Sequence, residues 1–233
     1  MKEGLLRTPL GIYVLKDDTH LSRWVEQHRR LDLNIDECTT LSQYLPEGGT
    51  VINAGAFLGD HALTYSQMVG PRGEVHAFEP HRLSFEALSY NMGRLRNVTC
   101  YNLALGERDE TAWLNPDENV GASFVQFAPV AHAGVVSICR LDSLVLSGRP
   151  KVDRLDMVHL DAEGFELPVL RGAAALISRH RPVLVLEVCP RHMRRQSLEP
   201  GHLFDWLVEH GYEWSFLHPQ PGPEQYDIVC IPK

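Results

Sequence analysis

Three groups of residues in this chain have types and spacings that can do chemistry. Gly55 and Gly59 bracket a turn within Asn53-Ala54-Gly55-Ala56-Phe57-Leu58-Gly59-Asp60-His61, and Glu79-Pro80 follows it. A glycine lets the backbone approach a ligand closely, and a helix opening at such a turn points free N–H groups at it. An acid about 20 residues further on can accept hydrogen bonds from both hydroxyls of a ribose. The second group is Asp161-Ala162-Glu163-Gly164-Phe165-Glu166, with His159 two places ahead of it. The third is Glu187, near the end of an apolar run over residues 182–188. Together with His61, these carboxylates and imidazoles can orient a nucleophile or accept its proton.

Such residues work only if the elements around them bring them to one place. Val51 and Ile52 begin a short strand that stops at Asn53-Ala54-Gly55, and Leu63, Tyr65 and Met68 continue as a helix closed by Gly70-Pro71-Arg72-Gly73. Residues 74–78 form the next strand, which leaves Glu79 at its carboxyl end. This is half of a nucleotide site. A nicotinamide cofactor would need G-x-G-x-x-G over its pyrophosphate, whereas position 57 is Phe and the two glycines are four apart. The spacing therefore argues against a dinucleotide oxidoreductase. It resembles the first motif of class I S-adenosylmethionine methyltransferases, with Glu79 as their ribose acid. The other reading of these glycines is a βαβ unit in which they serve packing alone.

A chain of 233 residues with 44% hydrophobic content can bury one large α/β core. The formal charge of −8 argues against a nucleic-acid partner, which usually leaves a basic footprint. Five cysteines, odd in number and without C-x-x-C spacing, fit a reducing compartment. The first residues lack the apolar core of a signal peptide, and no apolar run reaches membrane-spanning length. The expectation is a cytoplasmic protein with no membrane partner, for which pairing with a second copy is an open possibility.

In chain order, residues 8–15 read as a strand and residues 20–30 as a helix capped by Asp18 or Thr19, with Leu21, Trp24 and Val25 on one face. Residues 36–45 read as a second helix. Residues 1–47 are thus an extension in the same globule as the domain over 48–233. A helix over 81–95 and a strand over 98–103 follow, and the turn Asn102-Leu103-Ala104 falls at the edge that carries Gly55 and Glu79, where an adenine could rest. Residues 109–136 read as strand pieces and loop, with two roles open, a flap over the substrate or an ordinary surface loop. Residues 155–160 make a strand into Asp161, followed by a helix through Leu167, Val169, Leu170 and Leu176, then the strand at 182–188. A helix over 203–210 and strands at 212–217 and 225–231 complete seven strands.

The stretches VINAGAFLGDHALTYS, VHAFEP, YNLALGE, CRLDSL, VHLDAEGFELPVLRGA and RPVLVLEV, in this order over roughly residues 50–190, resemble the FkbM family of S-adenosylmethionine-dependent methyltransferases. The resemblance implies a Rossmann-like α/β fold with a seven-stranded, mostly parallel sheet, helices on both faces, and a last strand inserted antiparallel. It implies S-adenosylmethionine as cofactor and S-adenosylhomocysteine as product. Asn53, Ala54, Gly55, Ala56, Phe57 and Gly59 would surround the methionine part, with Asp60 and His61 at that end. Glu79 and Pro80 would hold the ribose, Asn102, Leu103 and Ala104 would flank the adenine, and Asp161 would lie near the reacting methyl. In related enzymes an extension such as 1–47 lies across the cofactor mouth; packing of the Trp24 face on the core is the equal alternative.

One departure stands out. The family commonly has Asp where this chain has Asn53, which keeps a hydrogen-bonding group but loses a charge near the cofactor ammonium, a change worth about 1.5–3 kcal/mol at the upper end. Asp60 also reads as an acid favoured at a helix N-terminus, and His159 as a satisfied buried histidine. The expected reaction is O-methylation of a small metabolite, sugar, glycan or natural product. N- or carboxyl-methylation, a peptide acceptor, and a binding module without catalysis are the alternatives. Asp161, His159 and His61 are the catalytic candidates. Metal-dependent O-methyltransferases of this fold also carry acids after the fourth and fifth strands, but the histidines show no metal-ligand spacing and Cys189-Pro190 follows Glu187, so catalysis without a metal is expected.

Overall fold

The computed structural model describes residues 4–32, 39–115, 123–127, 134–218, 222 and 224–233. The chain begins with β1 (Leu5–Arg7), β2 (Tyr13–Leu15) and α1 (Leu21–His28). It continues through β3 (Thr50–Ala54), α2 (Asp60–Val69), β4 (Glu74–Phe78), α3 (Arg82–Met92) and β5 (Val98–Tyr101). Then come β6 (Ala104–Leu105), β7 (Glu110–Asn115), β8 (Phe124–Gln126), β9 (Gly134–Cys139) and α4 (Leu141–Leu146). The second half holds β10 (Met157–Leu160), α5 (Glu166–Gly172), α6 (Ala174–His180), β11 (Val183–Val188), α7 (Pro190–Arg195), α8 (Pro200–Glu209), β12 (Tyr212–Phe216) and β13 (Tyr226–Pro232).

The main sheet runs β12-β13-β11-β10-β3-β4-β5, with every strand parallel to β3 except β13, which lies antiparallel between β11 and β12. The central strands β3 and β10 are buried along their whole length, as strands of a doubly covered parallel sheet are, and they carry the buried polar residues Thr50, Asn53 and His159 with them. Side chains alternate between the faces. Ile52, Val158, Leu160, Leu184 and Leu186 pack with Leu167, Leu170 and Leu203, whereas Val51, Val75, Met157 and Val185 pack with Tyr65, Leu88 and the N-terminal Leu5, Val14 and Val25.

Register then decides which chemistry-bearing residues meet. Ala54 pairs with Leu160 and with Phe78, so Gly55, Asp161 and Glu79 all lie one residue past the paired ends. Leu160 pairs with Leu186, which places Glu187 level with Asp161, and antiparallel β13 sets Asp227 directly opposite Glu187. One edge of the sheet thereby gathers Gly55, Glu79, Asp161, Glu187 and Asp227.

Several elements differ from the sequence reading. The single strand expected over 8–15 is a hairpin, with Leu5 opposite Leu15. Its second strand is fastened to α3 through Asn91, whose Oδ1 accepts from the Tyr13 N–H at 2.7 Å and whose Nδ2 donates to the Tyr13 carbonyl at 2.9 Å. The cap position belongs to His20 rather than to Asp18 or Thr19, and the helix begins at Leu21, although the Asp18 carboxylate accepts from the N–H groups of His20 (3.0 Å) and Ser22 (2.6 Å). Of the helix expected over 36–45, residues 39–41 are helical, and residues 36–38 lie outside the described residues. The long helix expected after Glu166 is two, parted at Ala173, where the chain runs so close to its neighbour that a Cβ on Gly172 would stand 1.8 Å from the Gly106 carbonyl oxygen. The strand pieces expected in 109–136 join β6 in a second sheet, β6-β9-β7-β8, with Gly121 and Ala122 outside the described residues. Helix α7 was not foreseen, although Pro190 in its first turn is a common helix-start signal. Among the described residues no helix is long and apolar enough to cross a membrane, and Cys100, Cys139, Cys189 and Cys230 are free thiols.

Candidate active site

The carboxyl edge of the main sheet opens into a cavity of about 780 Å³. Its walls include the turn after β3, the strand ends of β4, β10 and β11, Leu114 and Val125 of the second sheet with Ser123 beside them, and the N-terminal segment through Asp18, His20, Leu21 and Trp24. Both segments whose roles the sequence left open thus line the cavity. Trp24 does so while stacked on His28 at 4.4 Å, rather than packed wholly into the core.

The turn after β3 holds its shape through unusual backbone angles. Gly55, Phe57 and Gly59 have φ of 79°, 43° and 99°, the left-handed region that costs a residue with a Cβ. The space beside each glycine is occupied by protein. A Cβ on Gly55 would lie 1.6 Å from the Asp161 carbonyl oxygen, and one on Gly59 would lie 2.8 Å from Met92 Cε and 2.9 Å from Leu88 Cδ1. The missing Cβ therefore admits β10 and α3, not a ligand, as the first reason for these glycines.

Glu79 is the best-defined group at this edge. Its Oε2 accepts from the Phe57 N–H at 2.9 Å and its Oε1 from the His81 N–H at 2.7 Å. Burial raises its pKa to about 7 despite these two donors. A carboxylate has about four acceptor positions, so two remain for further donors. Asn102 supports the same corner by donating to the carbonyls of Glu79 (2.9 Å) and Pro80 (3.1 Å).

Across the cavity, Asp161 is held well above the usual carboxylate range by burial first and by Glu163 next, with His61 working in the opposite direction. His159 is buried, and its pKa lies well below 6.5 through burial and the neighbouring His61. The His61 and His159 rings meet edge to face at 4.2 Å, and His61 Nδ1 lies 3.6 Å from Asp60 Oδ2. Glu166 is buried away from the cavity, where its Oε1 accepts from the N–H groups of Ala162 (2.9 Å) and Gly164 (3.2 Å), so it shapes the turn that presents Asp161 and Glu163.

Of the residues expected to bind cofactor, Ala54, Gly55, Phe57, Asp60, His61, Glu79, Pro80, Leu103, Ala104 and Asp161 line the cavity, as does His159. Asn53, Ala56, Gly59 and Asn102 do not. Asn53 is fully buried beside His159 in the sheet, and neither its Oδ1 nor its Nδ2 has a hydrogen-bond partner among the described residues. The sequence did not single out Phe165, Arg191, His192, Gln225 or Asp227, all of which line the cavity. Nor did histidine spacing show a ligand cluster, yet the fold brings Glu163, Glu187 and His192 together.

The carboxyls make stability depend on pH in a definite direction. Glu79 and Glu166 are both raised from 4.5 to about 7, so between these values the folded state holds more protons than the unfolded state. Their stabilisation is complete below 4.5 and is lost as pH rises through 7, by on the order of 1 kcal/mol each between pH 6.5 and 8.5. His76, His81 and His159, lowered mainly by burial, act oppositely, losing stability as pH falls below 6.5. Urea midpoints of the ligand-free protein should therefore decline from pH 6.5 to 8.5. A midpoint that climbs over that window would show that these carboxyls are ionised in the fold at no cost.

The strand order, with its antiparallel strand between the last two, is that of the class I methyltransferases. Solved structures agree with this on fold. An FkbM methyltransferase from Methylobacillus flagellatus superposes with a TM-score of 0.58 at 15% identity, over 89% of this chain and 60% of that one. This chain thus spans less than two thirds of that protein. The O-methyltransferase TomG from Streptomyces achromogenes, solved with S-adenosylmethionine, gives 0.56 at 14% identity, over 94% of this chain and 92% of its own. Aeropyrum pernix fibrillarin, also with S-adenosylmethionine, gives 0.51 at 16% identity, over 81% and 68%. No curated protein matches the chain. The methyltransferase FkbM domain matches residues 53–214, and the chain belongs to that family.

Proposed function

We propose that this chain transfers a methyl group from S-adenosylmethionine to a hydroxyl of a small metabolite, sugar, glycan or natural product. The observation that carries the reading is the Glu79 carboxylate, buried at the end of β4, pinned by two backbone N–H groups and still able to accept from two ribose hydroxyls. The rest of the edge fits the same cofactor: Leu103 and Ala104 offer an apolar wall for adenine, and Asp60 with His61 faces the methionine end. When bound, S-adenosylmethionine supplies a methyl on a sulfonium that is already a good leaving group.

The protein's share is then to align the acceptor oxygen, exclude water and take its proton. Asp161 is placed to orient the acceptor by hydrogen bonding. His61, held beside Asp60 and lining the cavity, is the better proton acceptor of the two histidines, because burial makes His159 a weak base. His159 then serves to fix the His61 ring edge-on. The net charge of −8 favours a small acceptor over nucleic acid.

Glu79→Ala should weaken S-adenosylhomocysteine binding by roughly tenfold or more in calorimetry, since two charge-assisted hydrogen bonds are lost. Equal affinity in the variant would remove Glu79 from the ribose site. The reaction itself is tested by incubating metabolite extracts with S-adenosylmethionine labelled with carbon-13 at the methyl. A new O-methyl resonance is expected, whereas labelled N-methyl product would replace this reading with amine methylation.

A further inference from the structure

We infer that Glu163, Glu187 and His192 form a binding site for one divalent transition-metal ion beside Asp161 in the cavity. This departs from the metal-free catalysis expected of the sequence. One ligand atom from each of Glu163, Glu187 and His192 lies within 4.8 Å of the other two, and all three residues line the cavity. Glu187 and His192 are only 5% and 3% exposed. His192 Nδ1 stands 2.6 Å from Glu163 Oε2 and 4.0 Å from Glu187 Oε2, and Glu187 Oε2 has no hydrogen-bond partner among the described residues. A simple imidazole–carboxylate pair would account for the first distance but not for a buried Glu187 oxygen left without a donor, which is costly unless a proton or a cation answers it. Bonds of about 2.0–2.2 Å to a shared ion put ligand atoms roughly 3–3.5 Å apart, so each of the two distances to His192 needs to change by less than about 1 Å.

The backbone prepares this convergence. Glu163 and Gly164 both take left-handed φ, 55° and 94°, and a Cβ on Gly164 would lie 2.4 Å from the His192 carbonyl carbon. That contact brings the turn after β10 against α7 and turns Glu163 toward His192. Glu187 is fixed from behind, where its Oε1 accepts from Gln225 Nε2. One imidazole with two carboxylates suits manganese, iron, cobalt or zinc rather than calcium, which takes six to eight oxygens.

Arg191 supplies a check on the idea. Its guanidinium, which can only donate, lies 3.1 Å from His192 Nε2, so the metal-free imidazole carries its proton on Nδ1. Binding an ion at Nδ1 moves that proton to Nε2, and the exposed Arg191 side chain must then turn away. Only the ion's use rests on the methyltransferase reading: there it would bind the acceptor oxygen and ease its deprotonation.

Manganese titration of chelator-stripped protein, followed by electron paramagnetic resonance and by thermal melting, tests the site. One saturable manganese per chain is expected, competed by zinc. Glu163→Gln and Glu187→Gln should each weaken it by about tenfold or more, while exposed His28→Ala leaves it unchanged and Arg191→Ala binds as tightly or more tightly. Glu187→Gln replaces the ligand carboxyl by an amide of the same shape, so its melting should be cooperative and lack the stabilisation by manganese seen in the parent. Absence of a saturable site, or full affinity in Glu187→Gln, overturns the inference. Manganese binding without S-adenosylhomocysteine binding would leave the metal site standing and defeat the methyltransferase reading; the reverse would do the opposite.

Discussion

Gly55→Ala is expected to lower the free energy of unfolding by at least about 3 kcal/mol, the range in which buried overlap and a forbidden φ add. A methyl group there would sit 1.6 Å from the Asp161 carbonyl oxygen and 2.7 Å from its carbonyl carbon, so β3 and β10 would have to part at the point where the site begins. The left-handed φ alone costs an L residue about 1–2 kcal/mol. Gly48 separates the two effects, because its φ is 77° but nothing lies within 4 Å of the added Cβ. Urea unfolding of both variants should show Gly48→Ala losing only the backbone cost and Gly55→Ala losing markedly more. Equal losses would mean that the strand ends accommodate the methyl and that their close approach is not what demands glycine.

Asp161→Asn should reduce kcat by roughly 100-fold, the scale of a lost orienting or proton-linked interaction, with cofactor affinity changed by no more than about threefold. Asp161 lies level with Gly55 and Glu187, lines the cavity, and is not one of the groups that pin Glu79. Its interaction with the acceptor would strengthen as the oxygen becomes nucleophilic, and such a contact appears in kcat rather than in binding. Once the acceptor is in hand, steady-state kinetics and calorimetry separate the two quantities. Unchanged turnover would take Asp161 out of the reaction, and a large loss of cofactor affinity would reassign it to the cofactor.

Most of this architecture was legible because its signals are local. The apolar runs at β3, β10 and β11, the glycine turn and the acid at the end of β4 are each written in consecutive residues, and together they predict the sheet and the edge that carries Gly55, Glu79, Asp161 and Glu187. What local pattern does not carry is partnership. Gly55 and Gly59 announce that something comes close, but only the fold shows that the neighbours are the Asp161 backbone and the side chains of α3. Asp227 reaches the cavity because β13 runs antiparallel against β11, a long-range pairing in which one residue of slip would turn its side chain to the other face. His192 was passed over as one dispersed histidine of twelve; Pro190 was the cue that a helix begins beside it. Asn53 has a place in the motif that suggests cofactor contact, whereas in the fold it is fully buried in β3 beside His159.

The central claim is that the carboxyl edge of the main sheet holds S-adenosylmethionine in one orientation, and a crystal structure with S-adenosylhomocysteine measures that directly. The account predicts one molecule per chain, its ribose hydroxyls within hydrogen-bonding distance of the Glu79 carboxylate, its adenine against Leu103 and Ala104, and its sulfur facing the side of the cavity that carries Asp161. Density for the nucleoside elsewhere, or a ribose that leaves Glu79 bonded only to the N–H groups of Phe57 and His81, would contradict it.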